Sequence, residues 1–334
     1  MKILNNPQPT KATYNGEKYI VEQLKSIYNQ TVNPDEVLIA DDVSNDRTVE
    51  LIERFIEQHD LKNWKLMINS SNKGYKKNFY DLIQQATGDV IFLSDQDDVW
   101  EKNKIELMTK ELEKNTKIKS INAAVKYVDS RLNPLEVKLK SDFYNENLLY
   151  YKGQLGFLTD IPLSSIIVAN ITPGCAMCFS KNIKEEFLET YDFNLPHDWH
   201  LNLLAAIHGG CFFMNEILIK YRIHENNTIG TNDGNSLKKS ILNYDRKDRS
   251  EEAQKLLVTL NKLRMIYNFK DKDSICAIKY IESRYNFYKH PSFVKYVKMK
   301  NFDEYSHTTN KKGRLWDLLA VTGITDLAFR IVKN

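Results

Sequence analysis

No apolar run in the 334-residue chain approaches the roughly 20 residues that cross a bilayer. Met1 to Thr10 carry two prolines and lack the apolar core of a secretory signal, so the chain is expected in the cytoplasm. Cysteine is scarce: Cys175, Cys178, Cys211 and Cys276 are the four in the chain, too few for a disulfide scaffold of this length. Cys175 and Cys178 form a C-x-x-C without a second pair at zinc spacing, so the thiols are read as free and buried. Glycine numbers only 12, and neither G-x-G-x-x-G nor G-x-x-x-x-G-K occurs. Any nucleotide phosphate must therefore be held by something other than a glycine-rich loop.

What is present is an ordinary soluble composition, 42% hydrophobic and 27% charged. The net charge of +3 hides an asymmetry. Residues 1–234 hold 26 Lys+Arg against 33 Asp+Glu, a balance of −7, while residues 235–334 hold 21 against 11, a balance of +10. An acidic front argues against a nucleic-acid partner. The basic tail marks a separate segment.

The front alternates periodicities. Glu17–Asn29 has helical spacing, Glu36–Ala40 is a short apolar strand, and Asp46–His59 is an amphipathic helix with Ser44 at its entry. A strand at Lys65–Ile68, a helix at Tyr75–Ala86, a strand at Val90–Leu93, a helix at Glu101–Lys114 and a strand at Ile121–Val128 follow. Such alternation predicts an α/β fold with a mostly parallel sheet flanked by helices, whose ligands bind beyond the carboxyl ends of the strands. Further on, Ile166–Phe179 is an apolar run broken at Pro173-Gly174, His197–Ile207 a helix and Cys211–Tyr221 a strand. Beyond Asn235 the pattern is helical, ending in an expected helix at Leu315–Val332.

Two acidic clusters fall at the predicted sheet edge. In Asp95-Gln96-Asp97-Asp98, extended backbone would aim Asp95 and Asp97 at one ligand and Gln96 away from it. Neighbouring carboxylates repel unless a cation joins them, and Mg²⁺ or Mn²⁺ leaves positions open for phosphate oxygens. An acidic turn capping the next helix accounts for the same residues. Asp41-Asp42 repeats the arrangement one strand earlier, suited to accept hydrogen bonds from a base or ribose; Ser44 or Asp46 there is also a helix cap.

Ala12-Thr13-Tyr14-Asn15-Gly16-Glu17, Ala40-Asp41-Asp42 with Ser44, Asn72-Lys73-Gly74 and Leu93-Ser94-Asp95-Gln96-Asp97-Asp98-Val99-Trp100 occur in that order. Together they resemble family 2 glycosyltransferases of the GT-A fold over about residues 11–230. The DQDDVW, PGCAMCF, HDWHLNLLA and YRIHENN stretches look most like the bacterial rhamnosyltransferase-type branch. The resemblance implies a GT-A domain over 1–230, with a nucleotide-binding half at about 11–128 and an acceptor half at about 129–230, followed by a basic helical region at 231–334. It implies that Thr13, Tyr14, Glu17, Asp41, Asp42 and Asp95 bind the donor, that Asp97 and His224 hold a divalent metal, and that Asp198 is the catalytic base. By their residues alone, Asp198 is equally an N-terminal helix carboxylate and His224 a solvent-facing histidine. Trp100 and Trp199 read as core.

The implied reaction is inverting transfer of a sugar, with rhamnose suggested by the branch, from dTDP-rhamnose or a UDP-sugar to a saccharide or lipid-linked acceptor in surface polysaccharide synthesis. A nucleotidyltransferase and a non-catalytic sugar-nucleotide-binding paralogue share the architecture. The second is raised by the first strand, where Pro7 and Pro9 stand in place of the family's apolar run; two prolines argue against a central strand. Basic and aromatic residues of the tail suit peripheral contact with the inner, anionic face of the plasma membrane, and a soluble helical cap accounts for them equally.

Overall fold

The structure, a computed structural model, describes residues 6–136, 151, 153–224, 245–309 and 311–325. After β1 (Pro7–Thr13) the front alternates as predicted: α1 (Ile20–Tyr28), β2 (Val37–Asp41), α2 (Thr48–Gln58), β3 (Trp64–Ile68), α3 (Tyr75–Gln85) and β4 (Val90–Ser94). The middle holds β5 (Val99–Trp100), α4 (Lys104–Lys114), β6 (Ser120–Val128), β7 (Leu158–Asp160), α5 (Leu163–Val168), a 3-10 turn at Gly174–Ala176, β8 (Met177–Ser180), α6 (Lys181–Thr190), α7 (His197–Ile207) and β9 (Cys211–Arg222). Five helices complete the described chain: α8 (Arg246–Tyr267), α9 (Lys272–Lys289), α10 (Phe293–Lys300), α11 (Asp303–Thr308) and α12 (Lys311–Ala320).

Contacts divide the chain into two units. One comprises Met1–Val137, Gly153–Pro162 and Asn170–Asn226; the other comprises Lys138–Lys152, Leu163–Ala169 and Asn227–Asn334. Thus α5, which lies in the front of the sequence, groups with the C-terminal helices. In that unit α9 packs against both α8 and α5. Asn268 (φ 52) ends α8 in the left-handed region, and Asp271 caps α9 by accepting from the Ser274 N–H at 2.8 Å. Of the expected final helix, α12 covers the part up to Ala320, a turn at Gly323 (φ 76) interrupts it, helix resumes at Ile324, and residues 326–334 lie outside the described residues.

In the first unit the described strands form one sheet in the order β3-β2-β1-β4-β8-β6-β9-β5, with β7 beside β9. β3, β2, β1 and β4 are mutually parallel, as are β6 and β9, and β8 is antiparallel to both its neighbours. The core lies between this sheet and its helices, with Ile20, Leu24 and Ile27 of α1 and Ile105 and Met108 of α4 in one buried cluster with Val37 and Ile39 of β2 and Val90 and Phe92 of β4. Thr13 pairs with Asp41 and Lys11 with Ser94, so Asp41, Asp42 and Asp95 emerge together at one sheet edge.

The first strand is present and central, contrary to the expectation drawn from its prolines. The Pro7 carbonyl accepts from the Asp35 N–H and the Thr13 carbonyl from the Asp42 N–H, so residues of that parity face β2. The β1–β2 ladder opens only at Thr10, hence the N–H groups that Pro7 and Pro9 lack would have faced a stretch with no ladder. Buried polar side chains complete the strand: Gln8 Oε1 accepts from the Thr87 and Gly88 N–H groups at 2.7 and 2.6 Å, and Thr10 Oγ1 donates to the Phe92 carbonyl at 3.1 Å.

Candidate active site

At the β1–α1 corner, Asn15 adopts a left-handed backbone (φ 49), a conformation its short polar side chain tolerates. Asn15 Oδ1 accepts from the Asn45 N–H at 2.8 Å, and the Asn15 N–H donates to Ser44 Oγ at 2.8 Å. Ser44 is thus spent on the sheet edge, donating also to Asp41 Oδ2 at 2.6 Å, and does not cap α2. Asp46 serves that entry instead, with Oδ1 accepting from the Thr48 N–H at 2.9 Å.

The implied donor-binding residues are used in different ways. Thr13 is buried and its hydroxyl donates to Asp41 Oδ2 at 2.9 Å; Asp41 Oδ1 accepts from the Ser44 N–H. Asp42 accepts from Asn69 Nδ2 and from the N–H groups of Lys73 and Gly74, all within 2.9 Å, which ties Asn72-Lys73-Gly74 to the sheet. Glu17 Oε2 accepts from the Arg47 N–H at 3.1 Å. Tyr14 is exposed and lines a cleft of about 610 Å³ with Gly16, Tyr19, Gln96, Ser130 and His224.

Gln96 is a site residue that the alternation argument aimed away from the cleft. Its Nε2 donates to the Tyr14 carbonyl and its Oε1 accepts from the Tyr14 N–H, at 2.9 and 2.8 Å. A Cβ on Gly16 would lie 2.5 Å from Gln96 Oε1, so the clamp requires glycine there.

The backbone turns after Ser94, and the expected parity is lost. Asp97 Oδ2 sits 2.8 Å from His224 Nε2, whereas Asp95 gathers with Asp98 and Cys175, their donor atoms lying within 4.8 Å of one another. Asp98 Oδ1 accepts from the Arg222 N–H at 2.9 Å, while its buried Oδ2 has no hydrogen-bond partner. Burial, then the charge of Asp97, raises the carboxyls of both Asp95 and Asp98. Arg222 fastens the turn, with Nε donating to the Asp97 carbonyl at 2.6 Å, Nη1 to the Ser130 carbonyl at 2.8 Å and Nη2 to Glu22 at 2.5 Å. The Tyr19 ring covers its guanidinium at 4.4 Å and lies 5.0 Å from the His224 ring. Carboxylate oxygens such as those of Asp97 suit a hard divalent cation, Mg²⁺ or Mn²⁺, with the His224 nitrogen 2.8 Å away as a second donor; the buried Asp98 Oδ2, without a hydrogen-bond partner, is a donor in the Asp95 group.

Two buried lysines lie among polar residues in the sequence, where nothing marks them as buried. Lys11, in β1, donates to the Asp95 carbonyl at 2.8 Å, and burial lowers it to about 7 against the opposing pull of Asp97, Asp95 and Asp98. Lys104 donates to the Cys175 carbonyl at 2.6 Å, lies 3.7 Å above the Trp100 ring, and is likewise lowered to about 7 by burial. Trp100 is core, 3% exposed. Cys175, Cys178 and Cys211 are buried free thiols, and Cys276 is exposed.

Asp198 opens α7 and is 7% exposed. Burial raises it to about 6, opposed by a 2.8 Å hydrogen bond from Asn170 Nδ2 and by main-chain N–H groups of the first helical turn. Its charge also contributes to raising Asp95, so the α7 and β4 carboxylates act on one another. Gly174 lies against it: a Cβ there would be 3.2 Å from the Asp198 Cβ. The neighbouring His197 is buried, stacked on Phe79 at 4.1 Å and lowered to about 3 by burial.

A family model described as glycosyl transferase family 2 matches residues 12–187. The dTDP-rhamnosyl transferase RfbG of Shigella flexneri is 31% identical over 235 residues, covering 66% of this chain and 74% of that protein. The fold is similar to that of the mannosyltransferase PcManGT of Pyrobaculum calidifontis, solved with GDP-Man and Mn²⁺, with a TM-score of 0.56 at 17% identity over 98% of this chain and 82% of the other. Residues 1–349 of Staphylococcus aureus TarS, solved with UDP-GlcNAc, give a TM-score of 0.54 at 16% identity over 90% and 89% of the two chains.

Proposed function

The chain belongs to glycosyl transferase family 2, and from that premise we propose that it transfers a sugar, with inversion, from a nucleotide-sugar donor to a saccharide or lipid-linked acceptor in surface polysaccharide synthesis. The donor class rests on the RfbG similarity, which favours dTDP-rhamnose, and on the UDP- and GDP-sugars named with the fold relatives. The observation that carries the reading is the buried Asp198 carboxylate at the start of α7, in electrostatic reach of Asp95 at the end of β4.

Asp198, raised to about 6, is a carboxylate at neutral pH with more basicity than an exposed aspartate. It takes the acceptor hydroxyl proton as that oxygen attacks the anomeric carbon opposite the leaving diphosphate. Tyr14, held by Gln96, forms one wall of the donor cleft. Asp41 and Asp42 spend most of their lone pairs on the protein; Asp41 is fully buried and shapes the donor edge from beneath, Asp42 keeps an acceptor position for a base N–H, and Thr13 and Glu17 brace the same edge. Asp97 and His224 would hold Mg²⁺ or Mn²⁺, which offsets negative charge on the departing nucleotide. Assaying Asp198→Asn with dTDP-rhamnose and several UDP-sugars tests the assignment: turnover should fall by about 10²–10⁴-fold, and wild-type turnover would remove Asp198 from the role.

The basic C-terminal helices are proposed to bring the enzyme to an anionic membrane face where lipid-linked acceptors lie. On α10, Phe293 and Val294 are 62% and 77% exposed beside Lys298 and Lys300, a combination suited to the interface. Among the described residues no helix is long and apolar enough to cross a membrane. Full-length protein should float with anionic and not with neutral liposomes; failure to float with either refutes this contact.

A further inference from the structure

Asp198 is held by a chain of side-chain amides that leads away from the cleft into the sheet. Asn170 Nδ2 donates to Asp198 Oδ2 at 2.8 Å. The orientation of that amide is fixed from its other end, because Asn170 Oδ1 accepts from the Ile171 N–H at 3.0 Å and from Asn202 Nδ2 at 3.3 Å. Asn202 lies one helical turn beyond Asp198 on α7 and is fully buried. It exchanges two hydrogen bonds with Asn122 of β6, Nδ2 to Oδ1 at 3.0 Å and the reverse at 2.8 Å, and its Oδ1 also accepts from Ser120 Oγ at 3.1 Å. Thr172 Oγ1 closes the group by donating to Asn122 Oδ1 at 3.2 Å. A buried polar group that is not hydrogen-bonded costs stability, and here each amide in the chain is engaged at both its oxygen and its nitrogen.

We infer that Asn170 is a positioning residue for the reaction: its amide, locked by Asn202 and Asn122, holds Asp198 in one rotamer and stabilises its ionised form. The inference rests on the assignment of Asp198 as base. The groups whose charges face Asp198 are Asp95 beyond β4, Tyr75 on α3 and Tyr191 after α6, and all three are anionic or neutral. Stabilisation of the carboxylate therefore falls to the Asn170 amide and to the main-chain N–H groups at the start of α7. Losing the amide makes Asp198 harder to ionise; replacing it with a carboxyl of the same shape makes it harder still, because two neighbouring carboxylates repel.

The test is the pH profile of kcat/KM, with the sugar donor that the wild type turns over best, for the wild type, Asn170→Ala and Asn170→Asp. The acidic limb, set by the Asp198 carboxyl at about 6, should move to higher pH by about one unit in Asn170→Ala and further in Asn170→Asp, with turnover at pH 6.5 down about threefold in the first and more in the second, and the donor KM unchanged. On an Asp198→Asn background, Asn170→Ala should change the residual rate less than twofold. Asn170→Asp preserves size and the acceptor contacts, so it gives a folded comparison should the alanine variant fail to fold. Equal loss at every pH, or the same factor lost again on the Asp198→Asn background, would show a merely structural role and overturn the inference. Wild-type turnover in Asp198→Asn alone would instead remove the base on which it rests.

Discussion

Gln96 grips Tyr14 by its main chain, accepting from its N–H at 2.8 Å and donating to its carbonyl at 2.9 Å. The two bonds reproduce one rung of a β-ladder with a side chain, and they splice the turn after β4 onto the corner after β1. Each neutral hydrogen bond contributes about 0.5–1.5 kcal/mol, so Gln96→Ala should weaken nucleotide binding by about tenfold, read by calorimetry with UDP and dTDP. Gly16→Ala should do the same, since its Cβ would meet Gln96 Oε1. Unchanged affinity in both would detach the clamp from donor binding.

Asp97→Ala should abolish the dependence of nucleotide binding on Mn²⁺. Removing a mere neighbour of a metal ligand costs about 10–100-fold in affinity, and a ligand should cost at least as much. Titration of UDP with and without Mn²⁺ checks this; a metal response like that of the wild type would place the cation elsewhere, with the Asp95, Asp98 and Cys175 group the next candidate.

Asp198→Asn should be more stable than the wild type as well as slower. Burial lifts the Asp198 carboxyl from 3.8 to about 6, so the folded state binds the proton more tightly than the unfolded one. Its favourable contribution is complete below about pH 3.8 and disappears as pH rises through about 6. Asparagine carries no charge to desolvate and still accepts from Asn170. The variant should gain on the order of 2–3 kcal/mol at pH 7–8 and nothing at pH 3.5. Urea unfolding at the two pH values decides; equal stability at neutral pH would contradict the desolvated carboxylate.

Lys11 titrates in the opposite sense. Burial lowers it from 10.5 to about 7, so the unfolded chain holds its proton longer, and stability should rise with pH between about 7 and 10.5. The slope assigned to one group is about 1.4 kcal/mol per pH unit. Comparing urea midpoints of the wild type and Lys11→Met at pH 7, 8 and 9 isolates it, since the difference between the two proteins should shrink as pH rises. A constant difference would mean that Lys11 is not neutralised by burial.

Gly174→Ala should slow catalysis without weakening donor binding. The new Cβ, 3.2 Å from the Asp198 Cβ, must displace the carboxylate by a few tenths of an ångström, and misplaced catalytic groups can cost about 10²-fold in rate. The expected signature is a fall in kcat with donor KM within twofold. A rate equal to the wild type would show that Asp198 tolerates the shift.

Apart from β1, the parallel half of the sheet was legible because its strands are short apolar runs bounded by turn residues and alternating with amphipathic helices. The same periodicity located Asp198 at the start of α7. Local rules failed where a distant partner decides. The prolines of β1 are harmless only because of which neighbour their missing donors face and where that ladder begins, and neither fact is local. Strict alternation put Asp97 beside Asp95, whose carboxyl does feel the Asp97 charge, but it missed Asp98, which the turn past Ser94 also brings inward. Ser44 has the composition of a helix cap, yet Asp41 and Asn15 claim it. Lys11 and Lys104 have no sequence signature at all, because each lies among polar neighbours such as Thr10 and Asn103 and is buried only by the distant segments packed around it.

Arg222 joins three segments that are far apart in the chain: the Glu22 carboxylate on α1, the Asp97 carbonyl and the Ser130 carbonyl beyond β6. Its five donors form a rigid fork, so these segments share one spacing and cannot drift independently. Lysine, with a single nitrogen, would keep only part of that bracing. Changes in sugar preference along this lineage should therefore accumulate at positions the fork does not touch, leaving Glu22 and the 97 and 130 main chains as fixed points around which the rest of the cleft is remodelled.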